Sequence, residues 1–330
     1  MTNGAGLWEK ARLQSMAAPR SGSWLEALPN RVLNTHLTNA EVQYGVGRRL
    51  GLELCDESPC PFCLGIMDRF GVHCESCTAG GDKTVNHNCV RDDIYIHARR
   101  GHTAPRLEAC GISRLLGLED AGDGRTRPAD VLVCRAQDIS TGVGPAGAGK
   151  VALDVGIICP QATGHLADTA GEPSGAAEAY VKVKCGRGDT ERRCQEVGVV
   201  FQPMIFESTG GVSAEAERVI KCLNKAVAGN TDASEAVVAT RFWHCIGVDI
   251  LRGSCRAFHR RLVQKGGGDS IGAQYYQGLA GLGMAVPAQA DAGSWVYHTS
   301  CAFRAGGCTG VISTRAWALK TSARWGPHLS

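Results

Sequence analysis

No run of 18 or more apolar residues occurs in the chain, which excludes a membrane-spanning helix. Met1 to Ser23 also lack the apolar stretch that a secretory signal needs. A large net charge is missing as well. A formal net charge of +3 over 330 residues does not announce a nucleic-acid partner, and only a local cluster of Lys and Arg would carry that role. What the chain has in quantity is cysteine. Sixteen cysteines without a signal segment point to a reducing, intracellular setting, where thiols bind metal or pack in the core. The 44% hydrophobic content is enough for a core, and the length admits two compact domains.

The cysteines are not evenly spread. Cys60-Pro61-Phe62-Cys63 is followed after nine residues by His73 and after three more by Cys77. Two thiolates two residues apart can clasp one side of a tetrahedral ion, and a His and a Cys on the next turn can close the other. Cys74 stands beside His73 as a decoy or substitute ligand. Four protein ligands leave no open coordination position, so the expected ion is a structural zinc. The alternative is a set of unliganded, buried cysteines.

Residues 1–54 read as a loose leader over 1–22, rich in Gly, Ala and Ser, and then a helical segment. In that segment Val42, Val46, Arg49 and Leu50 have helical spacing, with Thr38 or Asn39 as the cap. The zinc module spans 55–85. A helix follows from Asn86, with apolar residues at Val90, Ile94 and Ala98. The period then changes. Val131 to Cys134 and Val151 to Cys159 are short, β-branched runs joined by a Gly/Pro/Ala loop, which predicts an antiparallel hairpin. Ala176 to Val197 reads as helix, Val199 to Glu207 as a buried strand and Ala214 to Ala228 as helix, an α/β order with helices flanking a sheet. Residues 229–264 form a helical basic extension, and 265–330 a Gly-rich tail with no sustained period, expected to be poorly ordered.

Asp130 and Asp154 stand at or inside apolar strands, where an ionised carboxylate is costly without a metal or a donor. On paired strands two such acids can converge and hold a hard cation such as Mg²⁺. Lys182 and Lys184 follow on the presumed helix, and one of them can sit beside the ion. The bland alternative makes Asp130 a strand-entry cap and Asp154 a satisfied core group. Gly144 to Lys150 matches part of a phosphate-binding loop, but Val151 follows and a strand comes next, so it reads as the hairpin loop. Arg256, His259, Arg260 and Arg261 are either a nucleic-acid contact or a solvated helix face.

Taken in order, the Cys60/Cys63/His73/Cys77 spacing, His87-Asn88, Arg127-Pro128-Ala129-Asp130-Val131 and Leu153-Asp154-Val155 carry a resemblance over roughly residues 24 to 225. This constellation resembles the C-terminal part of non-long-terminal-repeat retrotransposon polyproteins that carry a zinc knuckle and a restriction-like endonuclease of the PD-(D/E)xK type. The resemblance implies a restriction-endonuclease-like mixed sheet flanked by helices, preceded by a small zinc-binding module. It implies Mg²⁺ on Asp130 and Asp154, a catalytic lysine at Lys184 with Lys182 as runner-up, and an active-site acid at Glu108. It gives His87 and Asn88 no assigned role. The second acid is followed by Val155-Gly156, so no lysine stands two positions after it and the lysine must come from the helix. Gly186 and Gly188 would loosen that helix by about 1 kcal/mol each relative to Ala.

The implied activity is Mg²⁺-dependent nicking of target DNA for retrotransposition, with DNA and the element's own RNA as partners and the nucleus as location. No motif of paired aspartates after an aromatic occurs, so the expectation is a fragment without the reverse transcriptase domain. Two rivals stand beside it. One is an inactive, zinc-dependent nucleic-acid-binding remnant; the other is a plain α/β domain with incidental cysteines.

Overall fold

The computed structural model describes residues 3–107, 129–135, 149–196 and 198–263. Glu108, most of the 144–150 loop and the 265–330 tail lie outside them. The chain begins with helix α1 (Asn3–Ala17), where the sequence reads as loose leader. Its buried residues are Ala11, Arg12 and Ser15, with the following Ala18, which leave no apolar stripe to read. Trp8 adds a ring contact to Phe70 at 4.5 Å.

After the short α2 (Ser23–Glu26) comes α3 (Asn39–Leu50), opened by a capping box in which Thr38 and Glu41 satisfy each other's backbone N–H groups. The Val42, Val46 and Leu50 side that marks this helix in sequence is its exposed side. The buried side carries Glu41, Tyr44 and Arg48 instead, because buried ion pairs neutralise the two charges. A two-stranded hairpin, β1 (Ser58–Pro59) and β2 (Ile66–Met67), and α4 (Val72–Ser76) form the cysteine-rich module. Helix α5 (Asp82–Arg100) follows.

The main sheet has the order β3-β4-β5-β6, with β3 (Pro105–Leu107), β4 (Val131–Val133), β5 (Lys150–Ile158) and β6 (Val199–Glu207). The first two pairings are antiparallel and the last is parallel, so the sheet is mixed. Parallel neighbours need a crossover. Here it holds α6 (Leu166–Gly171), α7 (Gly175–Gly186), a 3₁₀ turn (Arg187–Asp189) and α8 (Thr190–Glu196). The single helix expected over Ala176–Val197 is thus broken at Gly186, and Asp189 beyond it has a φ of 55°. Pro203 sits mid-strand in β6 because β6 is an edge strand, where a missing N–H is tolerated. Helices α9 (Ala214–Gly229) and α10 (Glu235–Val263) complete the described residues.

Period two along the strands sorts the layers. Val131, Val133, Val151, Leu153 and Val155 join Ile94 of α5, Leu223 of α9 and Ile246 of α10 in the main core. Leu132 and Ala152 point to the opposite face, which packs against Cys194 of α8, while Ala176, Ala177 and Val181 of α7 pack against Ile205. A second core under the cysteine-rich module joins Tyr44, Met67 and Cys74 to Val248, Cys255 and Phe258 of α10. The result is a mixed α/β architecture, a four-stranded mixed sheet flanked by helices. No helix among the described residues is long and apolar enough to cross a membrane.

Candidate metal centre and cleft

The hairpin, α4 and the loop between them bring Cys60, Cys63, His73 and Cys77 together, with one ligand atom from each lying within 4.8 Å of all the others. Three thiols and an imidazole in this spacing fit zinc and could hold it. The local sequence builds the cradle. Asp68 accepts from the N–H groups of Phe70, Val72 and His73, at 2.9, 3.1 and 2.6 Å, and so fixes the start of α4. Gly65 must lack a side chain, because a Cβ there would come within 2.6 Å of the His73 ring. Burial works to raise the Cys60 thiol, but the Phe62 N–H and His73 bring it down to about 6, toward the thiolate a metal needs. Cys74 takes no part: it is 1% exposed in the core under α4, where burial pushes its thiol well above the usual range.

The β4–β5 ladder ends at the Val131–Leu153 pair, and just before β4 the Asp130 N–H donates to the Leu153 carbonyl at 2.9 Å, which brings Asp130 into one cleft with Asp154. Two carboxylates in one cleft repel, so the site needs positive charge. The fold delivers it from two sides. Lys184 Nζ donates to both oxygens of Asp154, at 3.0 and 2.8 Å. His87 Nε2 lies 3.3 Å from Asp130 Oδ1, and Asp130 Oδ2 accepts the Val155 N–H at 2.7 Å. Both carboxylates are 16% exposed. Burial works to raise Asp130, but the His87 and Val155 hydrogen bonds and the Lys184 charge hold it below the usual carboxylate range. Burial raises Asp154 above that range, and Lys184 offsets only part of it.

These residues line a cleft of about 360 Å³ with Tyr180 of α7, Lys83, Thr84 and Asn86 of α5, and Ser254 of α10. Of the two lysines on α7, the fold brings Lys184 to the acids. Lys182 is exposed and lies outside the cleft, as a two-residue offset on a helix requires. Asn88 does not line the cleft either. Gly156, two residues after Asp154, is where a lysine is missing. A Cβ built there would sit 4.0 Å from Lys184 Cε, so Lys184 reaches the same space from the helix.

The basic cluster on α10 is neither a free patch nor a solvated face. Arg256, Arg260 and Arg261 all donate to the Asp82 carboxylate, at 3.1, 2.7 and 3.0 Å, and Arg261 and His259 are buried. Sequence reading also missed a brace between the two cores. Glu75, between ligands His73 and Cys77, accepts from Arg48 at 2.9 Å, Tyr44 at 2.7 Å, Ser208 at 2.6 Å and Cys159 at 3.3 Å. Its partners lie up to 133 residues away in sequence, beyond the reach of any local pattern.

Compared with known proteins, the chain matches no family model, no curated protein and no solved structure.

Proposed function

We propose that the chain is a metal-dependent DNA endonuclease of the restriction-like PD-(D/E)xK type, braced by a structural zinc and serving retrotransposition. The observation that carries this reading is Asp130, just before β4, and Asp154, within β5, sharing one cleft with Lys184 from the crossover helix. Two carboxylates and room for water suit Mg²⁺, which keeps several waters and takes one or two acidic ligands. Bound there, Mg²⁺ would supply charge against the phosphoryl oxygens.

The protein's own groups do the rest. His87 and the Val155 N–H hold Asp130 in place, so its orientation is set by the fold. Lys184 stands at the Asp154 edge, where its ammonium offsets charge growing on the phosphorane and orients the attacking water. Hydrolysis forms a bond from that water oxygen to phosphorus and breaks the bond to the 3′ oxygen. Water's proton is lost to solvent and the departing oxygen takes one up. A 5′ phosphate and a 3′ hydroxyl result, the latter being the end that a polymerase extends.

Supercoiled plasmid with Mg²⁺, paired with metal analysis, tests the reading. The expected result is relaxed circles from the wild-type protein and bound zinc. Salt-sensitive DNA binding without cleavage under any divalent ion would point to the inactive zinc-dependent remnant instead.

A further inference from the structure

The end of α10 buries more positive charge than its carboxylate partner cancels. Arg261 has no exposed surface. Its Nη1 donates to Asp82 at 3.0 Å and to the Ala257 carbonyl at 2.7 Å, and its Nη2 donates to the Ala79 carbonyl at 3.1 Å. Arg256 and Arg260 share Asp82, so a single carboxylate faces three guanidinium groups. The Arg261 Nε is buried and has no hydrogen-bond partner among the described residues. A buried cation in that position is costly unless a further anion meets it.

The cysteine cluster can supply that anion. Arg261 lies within hydrogen-bonding reach of Cys77. Cys77 Sγ is also 3.9 Å from the Ala79 oxygen that Arg261 holds. With zinc on Cys60, Cys63, His73 and Cys77, three thiolates and a neutral imidazole around a divalent ion leave one negative charge over. The same helix turn grips the module at two more places. The Arg260 and Arg261 guanidinium groups each lie 5.1 Å from the centre of the Phe62 ring, between ligands Cys60 and Cys63. Arg260 also donates to the Gly80 carbonyl at 3.0 Å.

We infer that Arg261 is a positioning residue of the metal centre, neutralising the zinc–thiolate charge and orienting the Cys77 sulfur. Zinc affinity then depends on the end of α10, although every ligand comes from the hairpin, α4 and their flanks. Protonated thiols offer no charge to Arg261, so its contribution arises only with metal bound. This inference rests on the zinc reading and is independent of the nuclease reading.

The test is competition for zinc between the full chain and a chromogenic chelator. Arg261→Met should weaken zinc binding by about ten-fold or more, the usual scale for a group that supports a ligand. Arg261→Lys keeps the charge and should recover part of that loss. Arg256→Gln gives up the same Asp82 partner and should leave zinc affinity unchanged. With cobalt in place of zinc, the thiolate-to-metal absorption band should move to longer wavelength in Arg261→Met, because a sulfur that loses a donor gives up electron density more readily. Where Arg261→Met folds poorly, thermal melting decides: the substitution should lower the midpoint more with zinc bound than after chelation. Equal losses with and without zinc, equal zinc affinities for wild type and Arg261→Met, or equal zinc losses for Arg261→Met and Arg256→Gln would overturn the role and leave the metal centre standing. A wild-type protein that takes up neither zinc nor cobalt would overturn both.

Discussion

Asp130 and Asp154 show what a single residue can and cannot declare in sequence. Each stands out as an acid at an apolar strand, and their separate positions are legible. Their meeting in one cleft is not, because it depends on how β4 and β5 pair, and the connection between them carries no pairing information. His87 was visible only as a His beside an Asn, and its hydrogen bond to Asp130 spans 43 residues. Glu207 left no signal at all. It ends β6 with no exposed surface, and burial lifts its carboxyl to about 7 from an ordinary 4.5 despite the Ala177 N–H and the Thr209 hydroxyl. A raised acid destabilises the fold once ionised, so the penalty is full above about pH 7, shrinks between 7 and 4.5 and is gone below. Glu207→Gln should therefore raise the thermal midpoint at pH 8, by a stability gain on the order of 2 kcal/mol, and lose that advantage at pH 4. Melting curves at both pH values check it, and an unchanged midpoint at pH 8 would contradict it.

At the scale of elements, β5 and β6 were readable as short apolar runs bounded by turn-formers, and α9 by its helical period. Helix α1 was not, because it buries alanine, serine and Arg12, which leave no hydrophobic period. Helix α3 was readable as a helix but with its faces reversed, since Arg48 and Glu41 are buried through partners far away in the chain. Helix α7 decides the lysine. Val181 and Lys184, three residues apart, face the sheet, and Lys182 points to solvent. Lys182→Ala should change nicking less than about three-fold, whereas Lys184→Ala should reduce it at least 100-fold, the scale of a lost transition-state contact. Nicking time courses separate the two. Gly156→Lys in the Lys184→Ala background should recover part of the rate, because the two positions reach the same space and the nearest obstacle is the flexible end of Ile205. No recovery, with a normal melting curve, would separate the Gly156 position from the lysine's role.

Across the whole molecule, the cysteine-rich module and the sheet are joined rather than strung together. Glu75 lies between two of the metal ligands and reaches Ser208 and Cys159 at the ends of β6 and β5. Arg48 is its buried ion partner, 4% exposed as a residue. Removing the acid leaves that guanidinium uncompensated, so Glu75→Gln should cost about 3 kcal/mol by denaturant unfolding. Cys63→Ala, or removal of metal by chelation, should lower the thermal midpoint and release zinc, because ligand binding is linked to folding. Nicking should fail with it, as α4 carries both ligands and brace. The zinc spacing was the most legible feature of the chain because it is local. The Glu75 link from the cysteine cluster to the sheet was hidden, because it runs through contacts between distant segments.

Asp130, Asp154 and Lys184 are proposed to form one magnesium-dependent cutting site. Single-turnover nicking of supercoiled plasmid, titrated with Mg²⁺, tests it most directly when wild type is set beside Asp154→Asn. Wild type should cut with a saturable Mg²⁺ dependence, and Asp154→Asn, with zinc content and melting curve intact, should be slower by at least about 100-fold. A wild-type protein that cuts nothing under any divalent metal, or an Asp154→Asn variant that cuts as fast as wild type, would contradict it.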